Sequence, residues 1–175
     1  PSYYAQIPYL LKKFPDSKVV MIVRNPVRVA SSFNTRAQRK GSGSWPEEND
    51  YRLAVELWNK SMQLYLDVKK SSFRNRLFLV HYESFFSMKE NCLEALFDFL
   101  QLPITEEFKT EYAQFSNKWE KIRKKPLNLS QKEKEFVQTN IDYSLLDQLE
   151  PYFHPSFVIE KDTYRNFLNK KKSKS

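Results

Sequence analysis

Two short apolar runs constrain this chain most: Val-Val-Met-Ile-Val at residues 19–23 and Leu-Phe-Leu-Val-His-Tyr at 77–82. The first is unbroken and rich in β-branched residues, which reads as a strand covered on both faces. The second reads as another strand. Between them lie a helical stretch from Pro26 to about Thr35, a Gly/Ser-containing loop over 36–48, and a long amphipathic helix over 49–69. In that last helix Tyr51, Ala54, Val55, Trp58, Met62, Tyr65 and Leu66 step by three and four. Two strands joined by a helical crossover pair in parallel, so the chain is α/β.

The flanks extend this layout. Ser2 can cap a first helix running to about Phe14, with Ile7, Leu10, Leu11 and Phe14 on one side and a kink at Pro8. After the second strand, Ser84 or Ser87 can start a helix whose core face is Leu93, Leu96, Phe97 and Leu100. Thr105 opens another, to about Lys118. Ser130-Gln-Lys-Glu133 is a capping-box string before a helix to about Ile141, and residues 144–150 form a short last one. There is no internal repeat. The expected organisation is one domain over 1–164 and a basic, disordered tail over 165–175.

Composition excludes several classes. With 41% apolar and 15% aromatic residues among 175, the chain can bury a real core. The single Cys92 cannot form an internal disulfide, and with only His81 and His154 beside it there is no metal-ligand spacing, so no metal is expected. No apolar stretch is long enough for a membrane span and no signal peptide is visible, which makes the expected location cytoplasmic. Of the net charge of +8, five positive charges fall in residues 165–175. No basic helix face or recognition motif remains, so nucleic acid is not an expected partner.

The site signal lies where the first strand meets the first crossover helix. Arg24 at the strand's end can fork two N–H groups onto phosphate oxygens, Pro26 suits a helix's first turn, and Ser32 follows about two turns later with a hydroxyl. The other reading is that Arg24 caps an ordinary turn and that Ser31 and Ser32 are surface serines. The only glycines, Gly41 and Gly43, exclude a Gly-rich phosphate cradle within these residues.

The segment Arg24-Asn-Pro with Ser32 eight residues on resembles the 3′-phosphate-binding motif of sulfotransferases that use 3′-phosphoadenosine 5′-phosphosulfate (PAPS). Val80-His-Tyr82-Glu83, with a helix ending Phe-Asp-Phe-Leu-Gln-Leu, is similar to that family's Tyr-Glu segment, whose Tyr lies beside the adenine. Tyr82 is the matching residue; a buried Tyr tied to Glu83 or a carbonyl is the alternative. Lys118-Trp119 through Ser130 resembles the Trp-Lys-x-x-Leu-Ser/Thr segment. The family's Arg-Lys-Gly before that Trp is missing here, which leaves Lys118 and Arg123 as the nearest substitutes.

The resemblance implies a three-layer, parallel-sheet fold like that of P-loop hydrolases. It also implies transfer of a sulfuryl group from PAPS to a hydroxyl or amine of a small-molecule or carbohydrate acceptor. A noncatalytic nucleotide-binding or scaffold protein of the same fold is the alternative. The family's 5′-phosphosulfate loop, its Lys and its base are expected upstream of Pro1, so this chain is expected to be a fragment carrying the 3′-phosphate and adenine side alone. On the acceptor side, Arg36, Arg39, Lys40 and Trp45 favour a polar acceptor such as a sugar over a flat phenol, while Trp45 packed on Pro46 and the next helix is the other reading. The expected outcome is that the 175-residue chain moves no labelled sulfate from PAPS to any acceptor; transfer above background contradicts this.

Overall fold

The structure is a computed structural model that describes residues 3–39, 45–87 and 89–157. Ser2, Lys40, both glycines and the tail 165–175 lie outside those residues. A 3₁₀ turn, Tyr3–Gln6, leads into α1 (Ile7–Lys13), β1 (Val19–Val23), α2 (Pro26–Ala37), α3 (Tyr51–Lys70) and β2 (Leu77–His81). Beyond β2 follow α4 (Tyr82–Ser87), α5 (Lys89–Leu100), α6 (Glu106–Arg123), α7 (Gln131–Asn140), α8 (Tyr143–Leu149) and a closing 3₁₀ turn, Glu150–Tyr152.

The strands pair in parallel as the crossover requires, with Val19 opposite Leu77 and Val23 opposite His81. Among the described residues the sheet has these two strands and no more. The core is built largely by α3, whose Ala54, Val55, Trp58, Met62, Tyr65 and Leu66 are all buried, matching their helical spacing. α3 packs on α2, α7 and α8.

Four expectations need correction. β1 is not covered on both faces: Met21 and Val23 are buried, but Val20 is 38% and Ile22 56% exposed. An unbroken apolar run states that a strand is apolar on both sides, not that both sides find a partner. The first helix does not kink at Pro8; a 3₁₀ turn ends at Gln6, and Pro8 sits in the first turn of α1, where its missing N–H costs no hydrogen bond. Only Ile7 and Leu11 of its expected face are buried, while Leu10 and Phe14 are exposed. The stretch after β2 forms two helices where one was expected: α4 opens at Tyr82, with Ser84 buried and its hydroxyl 2.5 Å from His81 Nδ1, and the helix that carries Leu93, Leu96, Phe97 and Leu100 is α5, which opens at Lys89, two residues after Ser87. Finally, α6 runs to Arg123 rather than stopping at Lys118.

One polar residue fastens the crossover to the later helices. Asn34, buried on α2, accepts from the Tyr51 backbone N–H at 3.2 Å and donates to Glu133 Oε1 at 3.1 Å and to the Asn128 carbonyl at 3.2 Å. Glu133 is thereby held for its capping box, in which Ser130 N donates to Glu133 Oε2 and Glu133 N to Ser130 Oγ. Replacing Asn34 strands three part-buried partners. Asn34→Ala should destabilise the chain by about 2–3 kcal/mol and Ser130→Ala by about 1 kcal/mol; urea denaturation in which Asn34→Ala costs no more than Ser130→Ala contradicts this linkage.

Candidate functional site

The site forms at the carboxyl ends of the two parallel strands. In register, Val23 and His81 are the last pair, and the chain then leaves each strand differently. On the β1 side Asn25 is buried and caps α2: its Oδ1 accepts from Val27 N at 3.0 Å and Arg28 N at 3.3 Å, and its carbonyl accepts from Val29 N at 3.0 Å. Pro26 has no N–H. The first-turn amides of α2 are therefore all satisfied, and an anion at this junction must be bound by side chains.

Two long-range bonds fix the backbone around Arg24. Trp58 Nε1 donates to the Arg24 carbonyl at 3.0 Å, and Asn25 N donates to Glu83 Oε1 at 3.0 Å. Arg24 is left with its guanidinium over the ring of Tyr82, Cζ lying 4.6 Å from the centroid. Tyr82 in turn meets Trp119 and Phe86 in edge-to-face contacts, with centroids 5.0 and 5.2 Å away. Trp119 is fully buried, so the wall behind the guanidinium is rigid. Arg24 Nε is buried and has no hydrogen-bond partner, and no carboxylate pairs with Arg24 among the described residues. A buried N–H left bare on a cation is uncommon and calls for an acceptor that the described residues do not supply.

The two serines of α2 divide their work. Ser31 is buried and its Oγ accepts from Asn128 N at 2.8 Å, whereas Ser32 is partly exposed and its side chain forms no hydrogen bond among the described residues. Ser32 lies about 9 Å along α2 from Pro26 by helical rise. Arg24 and Tyr82 are thus in contact, and Ser32 stands on α2, the helix that Arg24 precedes. Tyr82 opens α4 rather than ending β2, so its ring stands against Arg24 and Trp119 instead of in the strand.

Other expected residues lie elsewhere. Lys118 is exposed on α6, and Arg123 is that helix's last residue. Trp45 donates from Nε1 to the Asn49 carbonyl at 2.9 Å and packs edge-to-face on Phe33, with Arg36 over its ring. Its partner is the preceding helix, α2, and not the following one. Arg39 is exposed. Among the described residues no group of His, Cys, Asp and Glu could hold a metal ion, and no helix is long and apolar enough to cross a membrane.

Glu83, Trp58 and Asn25 were not singled out as site residues from sequence. Asn25 was detectable as an N-cap residue placed before Pro26. Trp58 reads as one more apolar position on α3, and the Tyr82-Glu83 string marks Glu83 without revealing that it accepts from a backbone amide 58 residues away.

A family model described as "Sulfotransferase family" matches residues 1–107. No curated protein and no solved structure matches. The matched span holds Arg24, Ser32, Tyr82 and Glu83, and it covers more than half of the chain. The chain belongs to the sulfotransferase family, whose common activity is transfer of a sulfuryl group to a small-molecule acceptor.

His81 supplies a test of the clasp beside Arg24. Its Nδ1 accepts from Ser84 N at 3.2 Å, which makes it an acceptor toward the Ser84 hydroxyl as well and leaves the proton on Nε2, 3.7 Å from Glu83 Oε2. Burial pushes the imidazole from 6.5 down to about 4, so it is neutral near pH 7. The unfolded chain takes up this proton first as pH falls. The group's contribution is therefore complete above pH 6.5 and is lost toward pH 4, by at most ~3 kcal/mol. Denaturation midpoints between pH 7 and 4.5 should fall less steeply for His81→Asn than for the wild type; equal slopes contradict a buried neutral His81.

Proposed function

We propose that this member of the sulfotransferase family binds PAPS through the residues at its strand ends, Arg24 and Ser32 on the 3′-phosphate and Tyr82 beside the adenine. The transfer is to a hydroxyl or amine of the acceptor. The single observation that carries the reading is the buried, unpartnered Nε of Arg24 on a guanidinium already seated against Tyr82. The residues fit the group: two N–H groups of one guanidinium match two oxygens of one phosphate, and the Ser32 hydroxyl is available as a donor. When bound, PAPS supplies the sulfuryl group.

The chain's own residues bind and orient. Because Asn25 uses the α2 amides, Arg24 carries most of the recognition of the phosphate, and Ser32 adds a neutral hydrogen bond. Trp58 and Glu83 hold the backbone on either side of Arg24, so the guanidinium leaves the strand at one fixed point. Tyr82 keeps that guanidinium in place by cation–π attraction, strongest where water is excluded. The two described strands are read as part of the three-layer, P-loop-hydrolase-like sheet of the family. No residue of this chain is assigned as the catalytic lysine or base.

The test is discrimination between nucleotides with and without the 3′-phosphate. Calorimetry with 3′-phosphoadenosine 5′-phosphate and with adenosine 5′-phosphate should show a clear wild-type preference for the former. Arg24→Ala should weaken 3′-phosphoadenosine 5′-phosphate binding roughly ten- to a hundredfold, from the loss of about 1.5–3 kcal/mol for a charged hydrogen bond. It should also remove most of the preference. Ser32→Ala should cost less, about 1 kcal/mol. Equal discrimination in wild type and a folded Arg24→Ala variant would give Arg24 a structural role instead.

A further inference from the structure

The outer face of α1 presents apolar side chains to solvent. Tyr9 is 60%, Leu10 37% and Phe14 51% exposed, while Ile7 and Leu11 on the inner side are buried. Exposed phenylalanines elsewhere have ring partners: Phe108 lies against Phe97, Phe115 against Phe86 and Phe136 against Tyr51. Among the described residues, the rings of Tyr9 and Phe14 meet no other ring. What they share is the Lys13 ammonium, 5.6 Å from the Tyr9 centroid and 5.9 Å from that of Phe14. Positions 9, 10, 13 and 14 are neighbours on a helix surface, so these side chains form one patch.

The patch is both fixed and basic. Arg76, just before β2, donates from Nη1 to the Leu11 carbonyl at 2.8 Å and from Nε to the Ser17 carbonyl at 2.9 Å, which holds α1 with this side outward. Lys12 and Lys13 are exposed, α1 contains no acidic residue, and neither lysine pairs with a carboxylate among the described residues. The next acidic residue in the chain, Asp16, lies in the turn beyond the helix. Exposed rings interleaved with unpaired lysines suit a lipid headgroup layer, where the apolar parts sink toward the tails and the ammonium groups reach phosphates. A second copy suits the patch less, because its symmetric pairing would set lysines against lysines.

We propose that this face docks the protein on a bilayer surface rich in anionic phospholipid: Tyr9, Leu10 and Phe14 enter the headgroup layer, and Lys12 and Lys13 pair with lipid phosphates. In this arrangement α1 lies on the membrane; none of the described helices is long and apolar enough to cross one. Phe14 sits at the amino ends of the strands, because Arg76 holds its carbonyl as well. The five residues of β1 separate that end of the patch from the Arg24 site by about 15 Å. Docking at this face is independent of the function proposed for that site.

Co-sedimentation of the 175-residue chain with phosphatidylcholine vesicles, and with vesicles of phosphatidylcholine and phosphatidylserine in equal parts, tests this. The mixed vesicles should take up the protein and release it as salt is raised, while phosphatidylcholine alone should hold little. Tyr9→Ser and Phe14→Ser keep the net charge, and each should weaken binding to the mixed vesicles about tenfold through lost apolar insertion. Lys13→Gln should weaken it about fivefold. All three side chains are exposed, so the variants should match the wild type by circular dichroism. No binding to the mixed vesicles, equal binding to both compositions, or undiminished binding by a folded Tyr9→Ser/Phe14→Ser double variant would overturn the proposal; the last would assign the binding to charge elsewhere, such as residues 165–175. A wild-type dimer in light scattering that becomes monomeric in the same double variant would give the face to a second copy and overturn it too.

Discussion

The hydrogen bond from the Asn25 backbone to Glu83 Oε1 ties together two chain segments that leave parallel strands in different directions. Parallel pairing brings the ends of β1 and β2 side by side, but it does not by itself dictate where the next two residues go. On one side those residues are Arg24 and Asn25; on the other they are Tyr82 and Glu83. With Glu83 holding Asn25, and Trp58 holding the Arg24 carbonyl, the Arg24 side chain emerges against Tyr82. The aromatic wall of Trp119 and Phe86 then keeps Tyr82 in place. The later helices enter the site through this wall.

Magnitudes explain why such a cation is suited to an anion. Leaving a buried N–H without an acceptor costs about 1–3 kcal/mol, more on a charged group. A partly desolvated cation–π contact returns about 0.5–2 kcal/mol. The two nearly offset, so Arg24 sits in its place with no carboxylate partner among the described residues, and in the proposed function it gains strongly from an arriving phosphate. A carboxylate pairing with Arg24 would have removed that gain. The self-capped first turn of α2 has the same effect on specificity, because it leaves the guanidinium and a hydroxyl, rather than a row of amides, to distinguish a phosphate.

Much of the framework could be read from residue order. The two apolar runs gave the strands and their parallel pairing, three-and-four stepping gave the buried face of α3, and Ser130 with Glu133 marked the start of α7. What escaped was set by contacts distant in sequence. Asn34 reads as an ordinary mid-helix polar residue until Tyr51, Asn128 and Glu133 are seen to meet it. The open face of β1 escaped because apolar character does not reveal coverage, and the start of α4 at Tyr82 escaped because Ser84 looked like a cap while its hydroxyl serves His81. Arg24, Ser32 and Tyr82 were singled out from sequence, and the structure adds that the first and third touch.

The most direct test of the central claim is the Arg24 side chain itself, observed as its Nε–Hε resonance during titration with 3′-phosphoadenosine 5′-phosphate. The account predicts a large shift and slowed exchange of that proton as the bare nitrogen gains an acceptor, with little response to adenosine 5′-phosphate. A resonance that does not move while the nucleotide binds would contradict it.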